Sequence, residues 1–507
     1  MINNKILSLE IIAEKSRRLR KKGKRVVLCH GTFDLMHTGH IRYLQRAKRE
    51  GDILLVTVTA DEYVNKGPGR PIFNQQLRAE NLAALECVDF VAINYAVSAV
   101  EALHMIQPNI YAKGSEYRSH GNDVTGNIIL EQRAVEAHGG EIFYTDEITF
   151  SSSNLINEHF GIFPPETKQF LEQFRDKWKV KEIHRIVESL SDLNVLVVGD
   201  AIIDQYHYVS PLGQTGKGNT LAVRYENEEQ FAGGAVAVAN HVAGFAGSVT
   251  LLTGLGDRNS YEDFIRTKLK VNIEPKFFFF NDAPTVTKRR FVDNDLSKLF
   301  EVYYFDDTPT LKDGSREICK WLADTLDKYD VVVIADYGNG FVDDNMIEIL
   351  CDKSSYLAVN TQINSGNRGY HVINRYKRAN FVSLNEPELR LAAHNRHDSL
   401  EEVSEFVADI IKAERFAVTR GTKGIMMLDR IKCKFHKLPA LSSKVIDRVG
   451  AGDAFLALSS LCLVKDVDPE VAAFIGSVSA AMDVQIVCNR ESVDPVGLKQ
   501  YISTLLK

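Results

Sequence analysis

The chain passes from a predicted strand into a predicted helix through Gly31-Thr-Phe-Asp-Leu-Met-His37-Thr-Gly-His40, the stretch that fixes the fold of its N-terminal part. An apolar segment at 25–29 precedes it, and apolar residues with helical spacing follow it over 41–49. A second apolar strand is predicted at 52–59. Short strands and helices continue to alternate up to residue 144. This order predicts a parallel sheet whose two faces are covered by helices.

The two histidines of this stretch, His37 and His40, stand three residues apart at the start of the predicted helix, so they share one face. With 14 His and 33 Gly in 507 residues, the pattern His-x-Gly-His is expected roughly 0.03 times by chance. Free N–H groups at a helix start favour an anion, and Gly31 lets the backbone approach a nucleotide closely. The pattern therefore indicates attack of a phosphate or carboxylate oxygen on the α-phosphate of a nucleoside triphosphate, which releases pyrophosphate.

A second stretch of this kind, Asp447-Arg-Val-Gly450-Ala-Gly-Asp453, precedes an apolar helical run at 454–463. Its small residues leave N–H groups free to face the charge of a transferred γ-phosphoryl group. Asp453 is the predicted base that takes the proton of a substrate hydroxyl. One chain is thus predicted to carry two active sites, and the product of one reaction can feed the other.

The length of 507 residues predicts two large domains. We place the first at 1–160 and the second at 191–507. Between them, the segment 161–190 contains Pro164-Pro165 and then a charged helical stretch, which predicts a linker helix.

The composition excludes several classes of protein. A formal net charge of −6 gives no overall basic field for nucleic acid, and no uncharged run approaches the roughly 18 residues that a membrane span needs. The seven cysteines lack the spacing of a zinc site. We expect a cytoplasmic protein with reduced cysteines and without nucleic-acid or membrane partners.

Four stretches of the N-terminal part carry a resemblance to a known family: Val27 to Ile41, Ala84 to Asp89, Ala112 to Tyr117, and Ser151 to Ile156. On these residues, the segment 8–159 resembles the cytidylyltransferase-like nucleotidyltransferase superfamily. It is most similar to the adenylyltransferase half of the bifunctional heptose-phosphate kinases and heptose-1-phosphate adenylyltransferases.

The resemblance implies roles for individual residues. The residues that would hold the triphosphate are Gly31, Thr32, Phe33, His37 and His40. A contact with the sugar phosphate or the nucleotide is implied for Lys113. Phosphate contacts at a late helix start are implied for Ser151, Ser152 and Ser153. Without the family, Lys113 is an ordinary loop lysine and the three serines are an ordinary helix cap. Arg78 is expected at a solvated helix position, with neutralisation of phosphate as the alternative role.

Five further stretches match another family: Val197 to Tyr206, Gly233 to Asn240, Ile334 to Gly340, Asn385 to Glu388, and Val418 to Gly424. On these, residues 194 to about 500 resemble the ribokinase-like sugar kinases, and most closely the kinase half of the same bifunctional enzymes. Sugar contacts are implied for Asp200, Asp204, Gly233, Gly234 and Asn240. Nucleotide contacts are implied for Gly421, Gly424, Gly450, Ala451 and Gly452. The resemblance also implies that ATP is the donor and that a magnesium ion lies near Asn385 and Glu388.

Two features depart from that family. The stretch from Leu357 to Asn364 stands where family members carry an Asp-Pro-Lys-like segment, so a charge expected near the phosphates is missing. The order of the two domains is also reversed relative to the bifunctional heptose enzymes. Function can survive this reversal, because each domain carries its own core and its own site.

The predicted fold class is α/β, with an N-terminal Rossmann-like nucleotidyltransferase domain and a C-terminal ribokinase-like α/β sandwich. The predicted function is that of a bifunctional enzyme of nucleotide-sugar biosynthesis. It phosphorylates a sugar or sugar phosphate with MgATP, a heptose phosphate being the best substrate prediction, and transfers a nucleotidyl group from ATP or CTP to a sugar phosphate.

Two alternatives stay open. The N-terminal domain can be a CTP-dependent cytidylyltransferase for another sugar or polyol phosphate, or the kinase fold can be retained as a metabolite-binding or dimerisation module. A homodimer through the kinase domain is expected, because the segment 222–230 and the four phenylalanines at 277–280 need cover. Burial of the phenylalanine strand between two helical layers is the alternative explanation for the four phenylalanines.

Overall fold

The computed structural model describes residues 4–64, 69–118, 127–145, 163–311, 315–367, 369–442 and 444–507. The chain divides into two compact units. One comprises Met1–Pro164 together with Lys499–Lys507, and the other Pro165–Leu498.

The first unit alternates helices and strands. Its elements are α1 (Leu9–Lys21), β1 (Val26–Gly31), α2 (Thr38–Lys48), β2 (Ile53–Thr59), α3 (Gln75–Ala83), β3 (Phe90–Asn94), α4 (Val100–Ile106), β4 (Ile110–Gly114), α5 (Asn127–Glu136) and β5 (Glu141–Thr145). The strands form one parallel sheet in the order β3-β2-β1-β4-β5. Two groups of buried apolar side chains are part of this unit, and side chains of β1 enter both, because alternate residues of a strand point to opposite faces.

The segment predicted as a linker forms two helices, α6 (Pro165–Lys177) and α7 (Val180–Ser189). Phe174 of α6 is buried and stacks on Phe474, with ring centroids 4.2 Å apart. Lys177 and Trp178 both reach the carboxylate of Glu470. These contacts lie within the second unit, so α6 is part of its packing.

The second unit continues with β6 (Asn194–Gln214), β7 (Leu221–Gly234), α8 (Ala235–Ala243), β8 (Ser248–Arg258), α9 (Glu262–Lys268), β9 (Ile273–Pro284), β10 (Thr287–Val292), β11 (Lys298–Tyr304), α10 (Ser315–Thr325), β12 (Val331–Asp336), α11 (Asp344–Lys353), β13 (Leu357–Thr361), β14 (Phe381–Asn385), α12 (Glu386–Ala392), α13 (Leu400–Ile410), β15 (Arg415–Thr419), β16 (Ile425–Asp429), β17 (Lys434–Leu438), α14 (Ala451–Val464) and α15 (Pro469–Asp483). The last helix of the chain is α16 (Pro495–Leu505).

Strand β6 belongs to two sheets. Its first part, 194–200, pairs in parallel with β8 and β12 in the central sheet. Its later part, from residue 201 on, pairs antiparallel with β7 and in parallel with β10. We call the resulting β7-β6-β10-β11 array the outer sheet. Asp200 and Asp204 lie where the strand passes from one sheet to the other.

The four consecutive phenylalanines lie on β9, which pairs with β8. Phe280 belongs to the large apolar core of the second unit, and Phe278 packs against that core. Phe277 points to the other face, where Arg266 lies 4.8 Å from its ring centroid. The period-two alternation expected for a strand is present, and one of its two faces is buried within the unit.

All seven cysteines are free, and four of them are buried. No helix in the described part of the chain combines the length and the apolar character needed to cross a membrane.

Candidate active sites

The first candidate site lies at the carboxyl ends of β1 and β4. From β1 the chain builds the sheet outward through β2 and β3, and then returns to the other side of β1 with β4. At such a reversal of strand order, the two connections leave in opposite directions and open a crevice that binds ligands. Gly31 ends β1, and Lys113 lies next to the last residue of β4, so the sheet brings these two predicted residues to one edge.

His37 and His40 lie at the start of α2, directly after β1. His37 caps the helix, and its Nδ1 accepts a 3.1 Å hydrogen bond from the Gly39 N–H. The two imidazole rings stack with centroids 4.0 Å apart, and Phe33 meets His40 edge-on at 5.5 Å. A Cβ on Gly31 would lie 3.2 Å from the Phe33 ring, so glycine leaves room for it. The paired histidines therefore border the N–H groups that favour an anion.

Lys113 is buried, and its charge has an internal partner. Its ammonium lies 2.8 Å from Glu131, which also accepts a 3.0 Å hydrogen bond from the Tyr111 hydroxyl. The lysine is therefore not a solvated loop residue. A phosphate that binds Lys113 has to share it with Glu131.

Arg78 differs from the sequence expectation of a solvated position, because it is fully buried. Its guanidinium donates to the carbonyls of Thr32 at 2.5 Å and Thr59 at 2.6 Å, and to Asp61 at 2.6 Å. A planar guanidinium has enough donors to satisfy several acceptors at once. Arg78 thus stabilises the turn after β1 from the buried side. Helical spacing alone does not reveal this role.

The predicted phosphate contacts at Ser151, Ser152 and Ser153 lie outside the described residues.

The second candidate site centres on Asp453. Helix α14 begins after Gly450, whose φ of +102° lies in the left-handed region that favours glycine. A Cβ there would meet Asn489 at 2.5 Å and Asp483 at 2.7 Å. Asp453 is the third residue of the helix, and its first turn also contains Ala451 and Gly452. Apart from the helix itself, no described atom lies within 4 Å of the place where a Cβ on Gly452 would sit, so this side of the turn is open.

Tyr337 joins Asp453 to Asp200. Its hydroxyl donates a 2.6 Å hydrogen bond to Asp453 Oδ1, and its N–H donates a 2.9 Å bond to Asp200 Oδ2. Asp200 also accepts from the Phe341 N–H at 3.2 Å. Asp200 therefore holds the loop after β12, whereas the side chain of Asp453 accepts, among the described residues, the tyrosine hydroxyl alone.

Burial raises the pKa of Asp453 to about 7, although the Tyr337 hydrogen bond opposes this rise. Burial, together with the neighbouring Asp336, raises the pKa of Asp200 to about 6. A carboxylate whose pKa lies near neutrality is suited to accept a proton in the reaction. The position of Asp453 at a helix start, in reach of transferred charge, makes it the better candidate for this role.

Asp204 contacts both the outer sheet and the glycine pair after β7. Arg290 of β10 donates a hydrogen bond to its Oδ1. A Cβ on Gly233 would lie 2.1 Å from Asp204 Oδ2, and one on Gly234 would lie 2.3 Å from the Asp200 carbonyl oxygen. The two glycines are thus required for the close approach of this turn to β6. Asp200, Asp204, Gly233 and Gly234, which were predicted to contact the sugar, therefore lie together in the structure.

Asn240 lies apart from that group. Its amide nitrogen donates to the Lys268 carbonyl at 3.1 Å, and its amide oxygen accepts from the Lys270 N–H at 3.1 Å. It lines a cavity together with His241, and the lining of that cavity includes neither Asp204 nor Asp453. These bonds give Asn240 a role in holding the turn after α9.

Gly421 and Gly424 delimit a single helical turn after β15, and both have positive φ angles, +57° and +77°. A Cβ on Gly424 would lie 2.0 Å from the Leu438 carbonyl oxygen, so packing alone requires this glycine. No described atom lies within 4 Å of the Cβ position of Gly421. Its open side fits the predicted nucleotide contact.

Asn385 and Glu388 form a reciprocal cap at the start of α12. The Asn385 side chain accepts from the Glu388 N–H at 2.8 Å, and Glu388 accepts from the Asn385 N–H at 2.8 Å. Burial raises the pKa of Glu388 to about 7. The described residues contain no cluster of three or more His, Cys, Asp or Glu side chains that would hold a metal by itself. One buried carboxylate fits magnesium, which is usually held by one or two carboxylates with waters and substrate phosphates.

The stretch that departs from the kinase family is rich in amides and binds the Tyr337 loop. Asn364 and Asn367 donate to the Tyr337 carbonyl at 2.9 and 3.0 Å. Asn360 donates to the Ser383 carbonyl at 2.7 Å, which ties β13 to β14. Hydrogen bonds from the neutral amides of Asn364, in this stretch, and of Asn367, three residues beyond it, thus position the loop carrying Tyr337. Sequence reasoning singled out the departure but not this consequence.

Two family models match this chain, one in each of its two units. Residues 28–158 match the cytidylyltransferase-like family model, and residues 192–492 match the model of the pfkB family carbohydrate kinases. The bifunctional protein HldE of Pelobacter propionicus is 38% identical over 158 residues, which are 31% of this chain and 30% of that protein. The bifunctional protein HldE of Nitratiruptor sp. is 42% identical over 129 residues, which are 25% of this chain and 28% of that protein. The matches therefore span less than a third of these relatives.

Among solved structures, Escherichia coli phosphofructokinase-2 in complex with substrates and products has a TM-score of 0.50 at 14% identity. The similarity covers 62% of this chain and 100% of that one, and it shows the fold alone. The predicted combination of a cytidylyltransferase-like domain with a ribokinase-like sugar kinase domain is confirmed, as is the α/β class of both. At the level of these two families, the predicted enzyme class, nucleotidyltransferase and carbohydrate kinase, is confirmed as well.

Proposed function

We propose that this chain, which belongs to the pfkB family of carbohydrate kinases, is a bifunctional enzyme that phosphorylates a sugar phosphate and transfers a nucleotidyl group to a sugar phosphate. The observation that carries the kinase half is Asp453, a half-buried carboxylate at the start of α14 whose pKa is raised to about 7 and which accepts a hydrogen bond from a tyrosine hydroxyl. The observation that supports the transferase half is the stacked histidine pair at the edge where the strand order reverses.

In the kinase reaction, a sugar hydroxyl attacks the γ-phosphorus of ATP, and the bond to the β–γ bridging oxygen breaks. Asp453 takes the hydroxyl proton. The small residues from Gly450 to Gly452 leave the N–H groups at the start of α14 accessible to the phosphoryl group. These N–H groups stabilise its charge during transfer. Asp204, with Gly233 beside it, is placed to orient the sugar, and Tyr337 fixes the position of Asp453.

In the transferase reaction, an oxygen of the sugar phosphate attacks the α-phosphorus of a nucleoside triphosphate, and pyrophosphate leaves. His37 and His40 are placed to stabilise charge on the triphosphate at the start of α2. The N–H groups of that helix act in the same sense. Lys113 is the candidate group for the sugar phosphate or the nucleotide.

Magnesium, when bound, would neutralise charge on the triphosphate, and Asn385 and Glu388 are the residues that would hold it near the kinase site. In the kinase reaction, Asp204 orients the sugar, Tyr337 positions Asp453, and Asp453 accepts the proton of the hydroxyl.

A heptose phosphate is the proposed substrate, because the chain resembles the heptose enzymes.

We further propose that the domains divide near residue 164. We also propose that the protein is cytoplasmic, since its seven cysteines are free and both reactions consume nucleoside triphosphates. No membrane or nucleic-acid partner is proposed.

The function is tested by two assays on the full-length protein. Wild-type protein is incubated with ATP and a panel of sugars and sugar phosphates, and ADP release is measured. Pyrophosphate release is then measured with ATP or CTP and a panel of sugar 1-phosphates. We expect ADP release with a sugar phosphate and pyrophosphate release with one of the two triphosphates. CTP as the better donor would favour the cytidylyltransferase alternative, and no ADP release with any acceptor would favour a binding module.

We also propose a homodimer through the outer sheet. Three apolar side chains near the turn that joins β6 to β7 are exposed: Leu212 (66%), Leu221 (42%) and Tyr225 (57%). Exposed apolar strands require cover. Light scattering at micromolar concentration should give twice the monomer mass of 56.9 kDa. The variant Tyr225→Asp should shift the protein toward monomer. A monomer mass for the wild type would contradict the dimer.

A further inference from the structure

Glu131 of α5 is a buried carboxylate that the proposed mechanism does not use. It is 3% exposed. Its Oε2 lies 2.8 Å from the Lys113 ammonium and accepts a 3.0 Å hydrogen bond from the Tyr111 hydroxyl. Its Oε1 accepts a 3.3 Å hydrogen bond from the Ala99 N–H. Because Lys113 is the candidate group for a substrate phosphate, this carboxylate competes with an anionic ligand for the same ammonium.

The carboxylate can stay in place without the lysine. Each oxygen of Glu131 would keep one donor, the Ala99 N–H on Oε1 and the Tyr111 hydroxyl on Oε2. Burial, together with the charge of Glu131, raises the pKa of Tyr111 well above its usual value, so the hydroxyl stays protonated and remains a donor. A buried polar group with such partners is satisfied. Glu131 therefore loses one of three donors when the lysine leaves.

The ammonium of Lys113 has no second anion to turn to in the described part of the chain, where Glu131 is the one carboxylate within ion-pair distance of it. The rings of Tyr111 and Tyr117 lie 5.0 and 4.9 Å from the ammonium, and they attract a cation without neutralising it. A buried ammonium that leaves its carboxylate needs another anion. A phosphate group supplies one, because its oxygens accept charge-assisted hydrogen bonds.

We propose that Glu131 is a positioning residue of the transferase site, which holds Lys113 while the site is empty and releases it to a phosphate group of a substrate. The inference rests on the proposed transferase function and adds a residue to it. Binding is then weaker than the lysine alone would give, because the ligand has to break a buried ion pair. Return of the lysine to Glu131 helps the product to leave. The phosphate group has two sources, the nucleoside triphosphate and the sugar phosphate.

The test compares Glu131→Gln with Glu136→Gln in the full-length protein. Glutamine keeps the shape of the side chain and removes the charge that competes with phosphate. Glu136 is the matched control, because it is an exposed glutamate of the same helix that accepts a 2.8 Å hydrogen bond from Gln132. Calorimetry measures the binding of ATP, CTP and a sugar 1-phosphate, and pyrophosphate release gives KM and kcat. Thermal unfolding checks that the variants fold.

We expect Glu131→Gln to bind a phosphate ligand about tenfold more tightly than the wild type does, as for replacing a charged competitor by a neutral one. KM should fall in proportion while kcat does not rise, since the product is retained as well. Loss of stability cannot produce tighter binding. Tighter triphosphate binding assigns Lys113 to the nucleotide, and tighter sugar 1-phosphate binding assigns it to the sugar. Binding equal to or weaker than that of Glu136→Gln would overturn the proposal.

Two further variants guard the result. If Glu131→Gln does not fold, Glu131→Asp replaces it: the carboxylate then lies one methylene farther from the ammonium, and ligand binding should still be tighter than in the wild type. In a Lys113→Met background, Glu131→Gln should change ligand binding by less than about twofold, because the charge for which it competes is absent. An undiminished effect in that background would overturn the proposal, as would wild-type or weaker binding by the aspartate variant.

A failure of the proposed function gives a different result. If the wild type releases no pyrophosphate with any acceptor, inorganic pyrophosphate replaces the substrates in the calorimetry. Tighter pyrophosphate binding by Glu131→Gln than by Glu136→Gln would then support the role of Glu131 without transferase activity. Equal or weaker binding would overturn it.

Discussion

The hydroxyl of Tyr337 donates a 2.6 Å hydrogen bond to Oδ1 of Asp453, and this bond joins the end of the central strand β12 to the first turn of α14. The tyrosine is itself held from both sides of its backbone. Asp200 accepts its N–H, and Asn364 and Asn367 donate to its carbonyl. The stretch that lacks the charge expected from the family therefore still acts on the candidate catalytic carboxylate, through the loop that carries Tyr337.

Asp453→Asn should leave the geometry of α14 intact but remove the proton acceptor. We expect phosphoryl transfer to fall by about two to four orders of magnitude, the usual range for loss of general-base catalysis. Sugar and ATP binding should be retained in calorimetry. Nucleotidyl transfer to a supplied sugar 1-phosphate should be unchanged, which controls for misfolding. A variant within tenfold of the wild-type rate would remove the assignment of Asp453 as the base.

Tyr337→Phe should shift the pH dependence of the kinase. A base has to be ionised, so kcat/KM falls as the pH drops through the pKa of Asp453, about 7. The Tyr337 hydrogen bond lowers that pKa. Its removal should raise the pKa and move the acid limb of the profile to higher pH. The matched control is Tyr329→Phe, which removes a hydroxyl bonded to Thr250. Identical profiles for the two variants would contradict the positioning role of Tyr337.

His37→Ala and His40→Ala should each abolish detectable pyrophosphate release while kinase activity stays near the wild-type rate, because the two sites belong to separate compact units. His104→Ala is the control, since His104 is an exposed histidine of the same unit that contacts His138. Full transferase activity in a His37/His40 double variant would show that the pair has no role in the reaction.

Phe174→Ala should destabilise the second unit by about 3–5 kcal/mol, the usual cost of removing a buried phenylalanine ring, because Phe174 is 1% exposed and stacks on Phe474. Gln173→Ala, the exposed neighbour on α6, should change the free energy of unfolding by no more than about 0.5 kcal/mol. Denaturant unfolding followed by tryptophan fluorescence measures both. Equal midpoints for the two variants would mean that α6 does not stabilise the unit.

The features that could be predicted from the sequence are local. The start of α1 is an example: the Ser8 side chain accepts a hydrogen bond from the Ile11 N–H and caps the helix that begins at Leu9, so the signal is contained in a few residues. His37 and His40 lie on one helix face because three residues span almost one turn. Gly450 stands before α14 because the backbone there has a positive φ, which few other residues adopt without strain. Such preferences act within one element, so periodicity and motif spacing are enough to detect them.

The features that only the tertiary structure reveals depend on partners distant in the chain. Tyr337 and Asp453 are 116 residues apart, and they meet because α14 packs against β12, the strand that ends just before Tyr337. Arg78 is buried because Thr32 and Thr59 offer carbonyls behind α3, and Arg290 reaches Asp204 because β10 pairs with the outer part of β6. A side chain's burial and charge partners are set by strand order and register, which no local pattern contains.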